Sequence, residues 1–336
     1  MKINIWKVFS VLFFILINHL NAQKLIKKYE IDSLTYLHKS FQIKKNTINF
    51  LEIENDTSTK KKDLIIFLQG SNPSPLISED DNGKFLLMPF NLKEFCNDNI
   101  FIIIAKPKIS LYKHFQDLDD NFQEDNEKIL FDYMRLNTLQ NLTQEVNIII
   151  KKYSYDKRIN NIYVIGHSQG GRVAMNINKK KIKKIAVLSV NLLGRFEESI
   201  TNLRYEEISK QDSLISNKVE KEYVSYKRLK NNNDFKNTYN DLSLESYKSF
   251  TFPSTFNQIK KNKTSTLIAY GTNDIGVCFT NDLMRLELLA RNKKNYYFKT
   301  YSLLDHNFNK LNLKTKSKDN YWQKVLEDTI VWLKKT

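Results

Sequence analysis

Apolar residues in this chain gather into short continuous runs, and between the runs they recur at helical spacing. Leu64–Leu68, Ile100–Ile104, Ile162–Ile165, Ile185–Leu188 and Thr266–Tyr270 are such runs, each four or five residues long. Runs this short, rich in β-branched residues, suit strands buried on both faces, as in a parallel sheet covered by helices. Ile48–Ile53 alternates instead, as a half-exposed edge strand does, and Tyr296–Tyr301 reads as the last strand. Leu139, Leu142, Val146, Ile149, Ile150 and Tyr153 repeat at helical spacing ahead of the run at Ile162. Trp322, Val325, Leu326, Ile330 and Leu333 share one face of a closing helix. Strands alternating with helices imply βαβ units with right-handed crossovers, and so an α/β fold.

Two stretches break the alternation. Residues 107–137 are acidic and aromatic, with Asp117, Asp119, Asp120, Glu124, Asp125 and Glu127. Residues 195–262 are polar and rich in tyrosine and lysine, and show no convincing strand. The second stretch reads as a helical cap or lid inserted between the strands at Ile185 and Thr266, because long excursions of this kind are often functional. The plainer alternative is an elaborated surface connection. No internal repeat or Pro/Gly-rich linker marks a second domain, so residues 23–336 read as one domain carrying that insertion.

The first 22 residues read as a targeting segment. Lys2 and Lys7 precede an apolar run from Val8 to Ile17, and a short polar stretch ends at Ala22. A positive start, an apolar middle and a small terminal residue form a secretory signal peptide, cleaved after Ala22. The run is too short to span a bilayer comfortably; the competing reading is an uncleaved anchor. The mature chain is therefore expected to be exported, periplasmic or secreted, with no stable membrane span.

The net charge of +16 is scattered through every segment rather than gathered into a stripe. A nucleic-acid partner would require clustering, so none is expected. The two cysteines, Cys96 and Cys278, lack metal-ligand spacing. In an exported protein they could pair, or stand as two isolated thiols.

The chemistry concentrates at Gly166-His167-Ser168-Gln169-Gly170, which sits between the strand at Ile162 and a helix-compatible stretch, Gly171–Met175. A serine at the tip of so tight a turn brings the residues two before and two after it together, and both must be nearly free of side chain. Only 8 of the 336 residues are glycine, so a chance match is expected on the order of once per hundred such chains.

A serine hydroxyl needs a base, and the base needs an orienting carboxylate. Five histidines are present, one of them (His19) in the leader. His38 and His114 precede the serine, and His167 adjoins it and is expected to point away. His306 remains, in Leu304-Asp305-His306 just after the last strand. Asp274, in Gly271-Thr272-Asn273-Asp274 after the penultimate strand, is the expected acid, with Asp282 as the fallback. Gly271 would permit a sharp exit from that strand. Asp305 is too close in sequence to reach back to the ring and reads as surface. Two backbone N–H groups should form an oxyanion hole. They are those of Gln169, at the start of the elbow helix, and of Ser71, in Gln69-Gly70-Ser71 after an early strand.

Together these residues resemble the α/β-hydrolase superfamily, from about Ile48 to the C-terminal helix. Gln69-Gly70-Ser71 departs from the His-Gly pair that many members carry there. The resemblance implies a mostly parallel eight-stranded sheet with helices on both faces, and an acyl-enzyme mechanism without cofactor or metal. The expected activity is hydrolysis of a carboxylic ester, thioester or amide in a small-molecule or acyl substrate. The fold hosts many activities, so a peptidase, an acyltransferase and a non-catalytic binding protein stand as alternatives.

Overall fold

A nine-stranded sheet runs through the chain, with buried apolar layers on both faces. The computed structural model describes residues 23–43, 46–55, 60–231, 238–239, 242–252 and 254–335. The signal-peptide reading lies outside them. The strands are β1 (Gln23–Ile31), β2 (Leu34–Ile43), β3 (Asn46–Glu54), β4 (Lys62–Leu68), β5 (Asn99–Ile104), β6 (Ile159–His167), β7 (Lys184–Leu188), β8 (Ser265–Gly271) and β9 (Tyr296–Tyr301). Their spatial order is β1-β2-β3-β5-β4-β6-β7-β8-β9. The strands from β5 to β9 pair in parallel, whereas β1, β2, β3 and the β3–β5 junction are antiparallel.

Nine strands rather than eight is a correction, and it comes from the N-terminus. β1 is Gln-Lys-Leu-Ile-Lys-Lys-Tyr-Glu-Ile and mostly exposed, so its apolar signal is weak. It forms the sheet edge, and Ile48–Ile53 is consequently not an edge strand but is paired on both sides. The continuous apolar runs are buried on both faces, as parallel strands require. Along β4, Leu64 and Ile66 enter one layer while Ile65 and Phe67 enter the other.

The helices are α1 (Glu127–Leu136), α2 (Leu139–Tyr153), α3 (Gln169–Asn176), α4 (Arg195–Lys210), α5 (Ile215–Asn231), α6 (Leu244–Thr251), α7 (Thr255–Lys261), α8 (Ile275–Ala290) and α9 (Trp322–Lys334). The apolar faces of α2, α3, α7 and α8 pack into one layer, and that of α9 packs into the other. Residues 107–137 contain a short strand, Tyr112–His114, in a separate three-stranded sheet, followed by α1. Among the described residues, 195–261 hold four helices. Phe250 and Ile259 reach the main core, while Phe196, Leu229, Leu244 and Tyr247 make a small cluster of their own. Cys96 and Cys278 are free and buried in opposite layers, so the sheet separates them. Among the described residues no helix is long and apolar enough to cross a membrane.

Candidate active site

Three loops at the carboxyl ends of β6, β8 and β9 build the site. β6 ends at His167 and α3 begins at Gln169, leaving Ser168 alone at the turn with φ 51° and ψ −119°. A side chain elsewhere in that turn would collide with it: a Cβ on Gly166 would lie 2.4 Å from the Gly170 carbonyl oxygen, and one on Gly170 would lie 2.1 Å from that of Leu68. Steric closure of the elbow therefore requires both glycines.

Asp274 follows β8 at the N-terminus of α8, and His306 follows β9. Gly271 joins the two loops by close approach, since a Cβ there would sit 2.0 Å from the Leu304 carbonyl oxygen. Gly271 also opens the turn that leaves β8, its carbonyl accepting from the Asp274 N–H at 3.3 Å, and does so without a positive φ. Asp305, half-buried rather than simply on the surface, shapes the His306 loop by accepting from the N–H groups of Asn307 and Asn309 at 2.9 and 2.8 Å.

The Ser168 Oγ and the His306 Nε2 lie 3.0 Å apart, and the His306 Nδ1 and the Asp274 Oδ2 lie 2.8 Å apart. A carboxylate can only accept, so Nδ1 carries hydrogen and Nε2 faces the hydroxyl as the acceptor. Asp274 is 7% exposed and the His306 side chain 35%, so the acid is sheltered while the base meets the cleft. Burial works against a charge on His306, but the Asp274 hydrogen bond and the nearby carboxylates outweigh it and hold the ring above the ordinary histidine pKa. Asp282 does not reach this relay; its Oδ1 accepts from the Tyr270 hydroxyl at 2.6 Å. His38 contacts Asn49, and His114 contacts Tyr112.

Ser168, His306, Gly70 and Ser71 border a cleft of about 450 Å³ whose lining contains no Asp, Glu, Lys or Arg. Ser71 is anchored by its carbonyl, which accepts from the Tyr133 hydroxyl at 2.5 Å. Among the described residues, the N–H groups of Ser71 and Gln169 donate to no other protein group. One close set of His and carboxylate ligands occurs among the described residues, Glu198, Asp274 and His306, with donor atoms all within 4.8 Å. A cation there would compete with the Asp274–His306 hydrogen bond, so the set suits proton handling better than coordination.

No family model and no curated protein matches the sequence. Solved structures do match. An acylaminoacyl peptidase in complex with Z-Gly-Gly-Phe-chloromethyl ketone superposes with a TM-score of 0.55 at 12% identity, over 94% of this chain and 48% of that one. This chain has the α/β-hydrolase fold. Acetyl xylan esterase 1 from Thermoanaerobacterium sp. gives a TM-score of 0.49 at 12% identity, over 94% of this chain and 89% of that one. The Pyrococcus horikoshii acylaminoacyl peptidase gives 0.49 at 13% identity, over 87% and 39%. The chain thus spans less than half the length of either peptidase.

Within the α/β-hydrolase scaffold the sequence reading missed two residues. His167 does not point away from the site: its Nε2 lies 3.0 Å from the His306 carbonyl oxygen, and its ring packs on Trp322. A carbonyl can only accept, so Nε2 carries the hydrogen. Burial, reinforced by the neighbouring His306, pushes the His167 pKa down to about 3 and keeps the ring neutral. His167 therefore pins the loop that carries His306. The second is Lys106, 7% exposed, whose Nζ donates to the Gln169 Oε1 at 3.1 Å. Burial lowers its pKa to about 7, and burial raises that of nearby Glu145 to about 8. The available signal was a lysine closing a wholly apolar run, Ile100–Ala105, directly before Pro107.

Proposed function

We propose that the protein is an exported serine hydrolase that cleaves a neutral carboxylic ester, or a thioester or amide, through an acyl-enzyme on Ser168. The observation that carries this reading is the Ser168–His306–Asp274 hydrogen-bonded relay facing an open cleft. His306 takes the Ser168 proton as Oγ attacks the acyl carbonyl, and Asp274 stabilises the imidazolium. The oxyanion then meets the N–H groups of Gln169 and Ser71 at the N-terminus of α3, where one such donor contributes about 3–4 kcal/mol. His306 next protonates the leaving group, and in the second half-reaction it activates water. The uncharged lining of the cleft supports a neutral acyl group and leaves the positive net charge to the rest of the surface. Export rests on the pattern from Lys2 to Ala22.

A fluorophosphonate probe tests the reading. Wild type should be labelled and Ser168→Ala should not; labelling that survives the substitution places the nucleophile elsewhere. No labelling of wild type would favour a binding protein that keeps the fold. The likeness to acylaminoacyl peptidases keeps amides in view, so p-nitrophenyl esters of graded acyl length should be run beside peptide arylamides. Added alcohols or amines in the same assay separate acyl transfer from hydrolysis. N-terminal sequencing of the exported protein tests cleavage after Ala22.

A further inference from the structure

Glu198 lies on the first turn of α4, in the polar stretch between β7 and β8. Its carboxylate does not turn to open solvent: one oxygen lies within 4.8 Å of both an Asp274 carboxylate oxygen and a ring nitrogen of His306. Gly276, on the first turn of α8, makes room for this approach. A Cβ at Gly276 would sit 2.7 Å from both the Glu198 Cγ and its carbonyl oxygen. Two carboxylates facing one neutral imidazole are an unfavourable resting arrangement, because like charges in a half-buried site repel. Consistent with this, burial and Asp274 raise the Glu198 pKa, while His306, Arg195 and Arg172 pull it back. The arrangement becomes favourable only when the imidazole takes a proton. An interaction realised only in the charged state accelerates the chemical step rather than substrate binding.

We infer that Glu198 is a second carboxylate of the relay, a positioning residue supplied by α4 that steadies the His306 imidazolium alongside Asp274. This rests on the hydrolase reading. His306 is faced by Asp274 from the β8–α8 turn, Glu198 from α4, Asp305 from its own loop and the neutral His167 from the elbow. Asp305 is partly neutralised by Lys318 at 3.2 Å, and Arg172 on α3 is engaged with the Phe250 carbonyl at 2.5 Å. Glu198 is therefore a residue through which α4 acts on the proton-transfer step.

The test reads His306 twice. The ring is titrated by NMR in Ser168→Ala and in Ser168→Ala with Glu198→Gln. In parallel, p-nitrophenyl acetate kinetics are followed against pH in wild type, Glu198→Gln and Glu198→Asp. The expected result is a His306 pKa lower by about one unit in Glu198→Gln. A kcat lower by about tenfold at little change in KM should accompany it, with Glu198→Asp recovering most of both. An unchanged titration with kcat within about twofold of wild type overturns the inference, while fluorophosphonate labelling of Ser168 would leave the hydrolase reading standing. A shifted titration in a protein whose Ser168 is never labelled supports the coupling and overturns the hydrolase reading instead. If Glu198→Gln fails to fold, Gly276→Ala displaces the same contact and should move the titration in the same direction; an unmoved titration there overturns the inference.

Discussion

Replacing Ser168 by glycine should stabilise the fold relative to replacing it by alanine, the reverse of the ordinary order. In a helix interior, glycine costs about 1 kcal/mol relative to alanine. Ser168, however, has φ 51° and ψ −119°, outside the regions open to residues with a Cβ. Such strain costs about 1–3 kcal/mol. Both variants lose the 3.0 Å contact with His306, so that loss cancels in the comparison. Strain relief less a glycine entropy cost of about 0.5–1 kcal/mol leaves glycine ahead by about 1 kcal/mol. Unfolding entropy for 336 residues is about 0.7 kcal/mol/K, so the Tm difference should be about 1.5 °C. Urea unfolding at neutral pH, with equal m-values required, gives the free-energy difference directly. An alanine variant more stable by about 1 kcal/mol would refute the claim that the elbow stores backbone strain.

Three further outcomes are expected. The acidic limb of the kcat/KM profile should rise through an apparent pKa above the usual histidine value, because the base must be neutral and Asp274 holds its proton on. The His306 contribution to stability runs the other way, present in acid and lost as pH rises through that folded-state pKa; a profile with its limb well below the usual value would contradict the geometry. His167, with its pKa pushed down to about 3, binds fewer protons folded than unfolded between that value and about 6.5. The His167 contribution to stability should therefore fall by about 3–5 kcal/mol as pH drops through that window, and His167→Gln should show a shallower slope than wild type in chemical denaturation series; parallel slopes would count against a neutral buried ring. Glu52, fully buried, accepts from Tyr153 and pairs with Lys39 at 2.8 Å and Arg158 at 3.1 Å. Glu52→Gln should cost about 3 kcal/mol in urea unfolding, and a loss under about 1 kcal/mol would show that the pairs contribute little.

The sequence made the parallel core legible because its strands are buried on both faces, which forces continuous apolar runs such as Ile100–Ile104. It hid β1, whose exposed edge positions accept lysine and glutamate and so carry little periodic signal. At the site, chain order narrowed the serine's partners to His306 with Asp274 or Asp282. Side-chain placement separates the acids, since Asp282 is turned toward Tyr270 inside α8 while Asp274 ends the loop beneath the imidazole.

By itself, the sequence determined the local necessities. Tight turning around Ser168 demands Gly166 and Gly170, and burial on both faces demands unbroken apolar strands. The contacts of His167, Lys106 and Glu198 were settled only in three dimensions. Each depends on which sequence-distant group passes within a few ångströms: the His306 carbonyl, the Gln169 side chain and the Gly276 turn. A local pattern fixes where a side chain lies on its own strand or helix, and the packing of remote elements fixes what it meets.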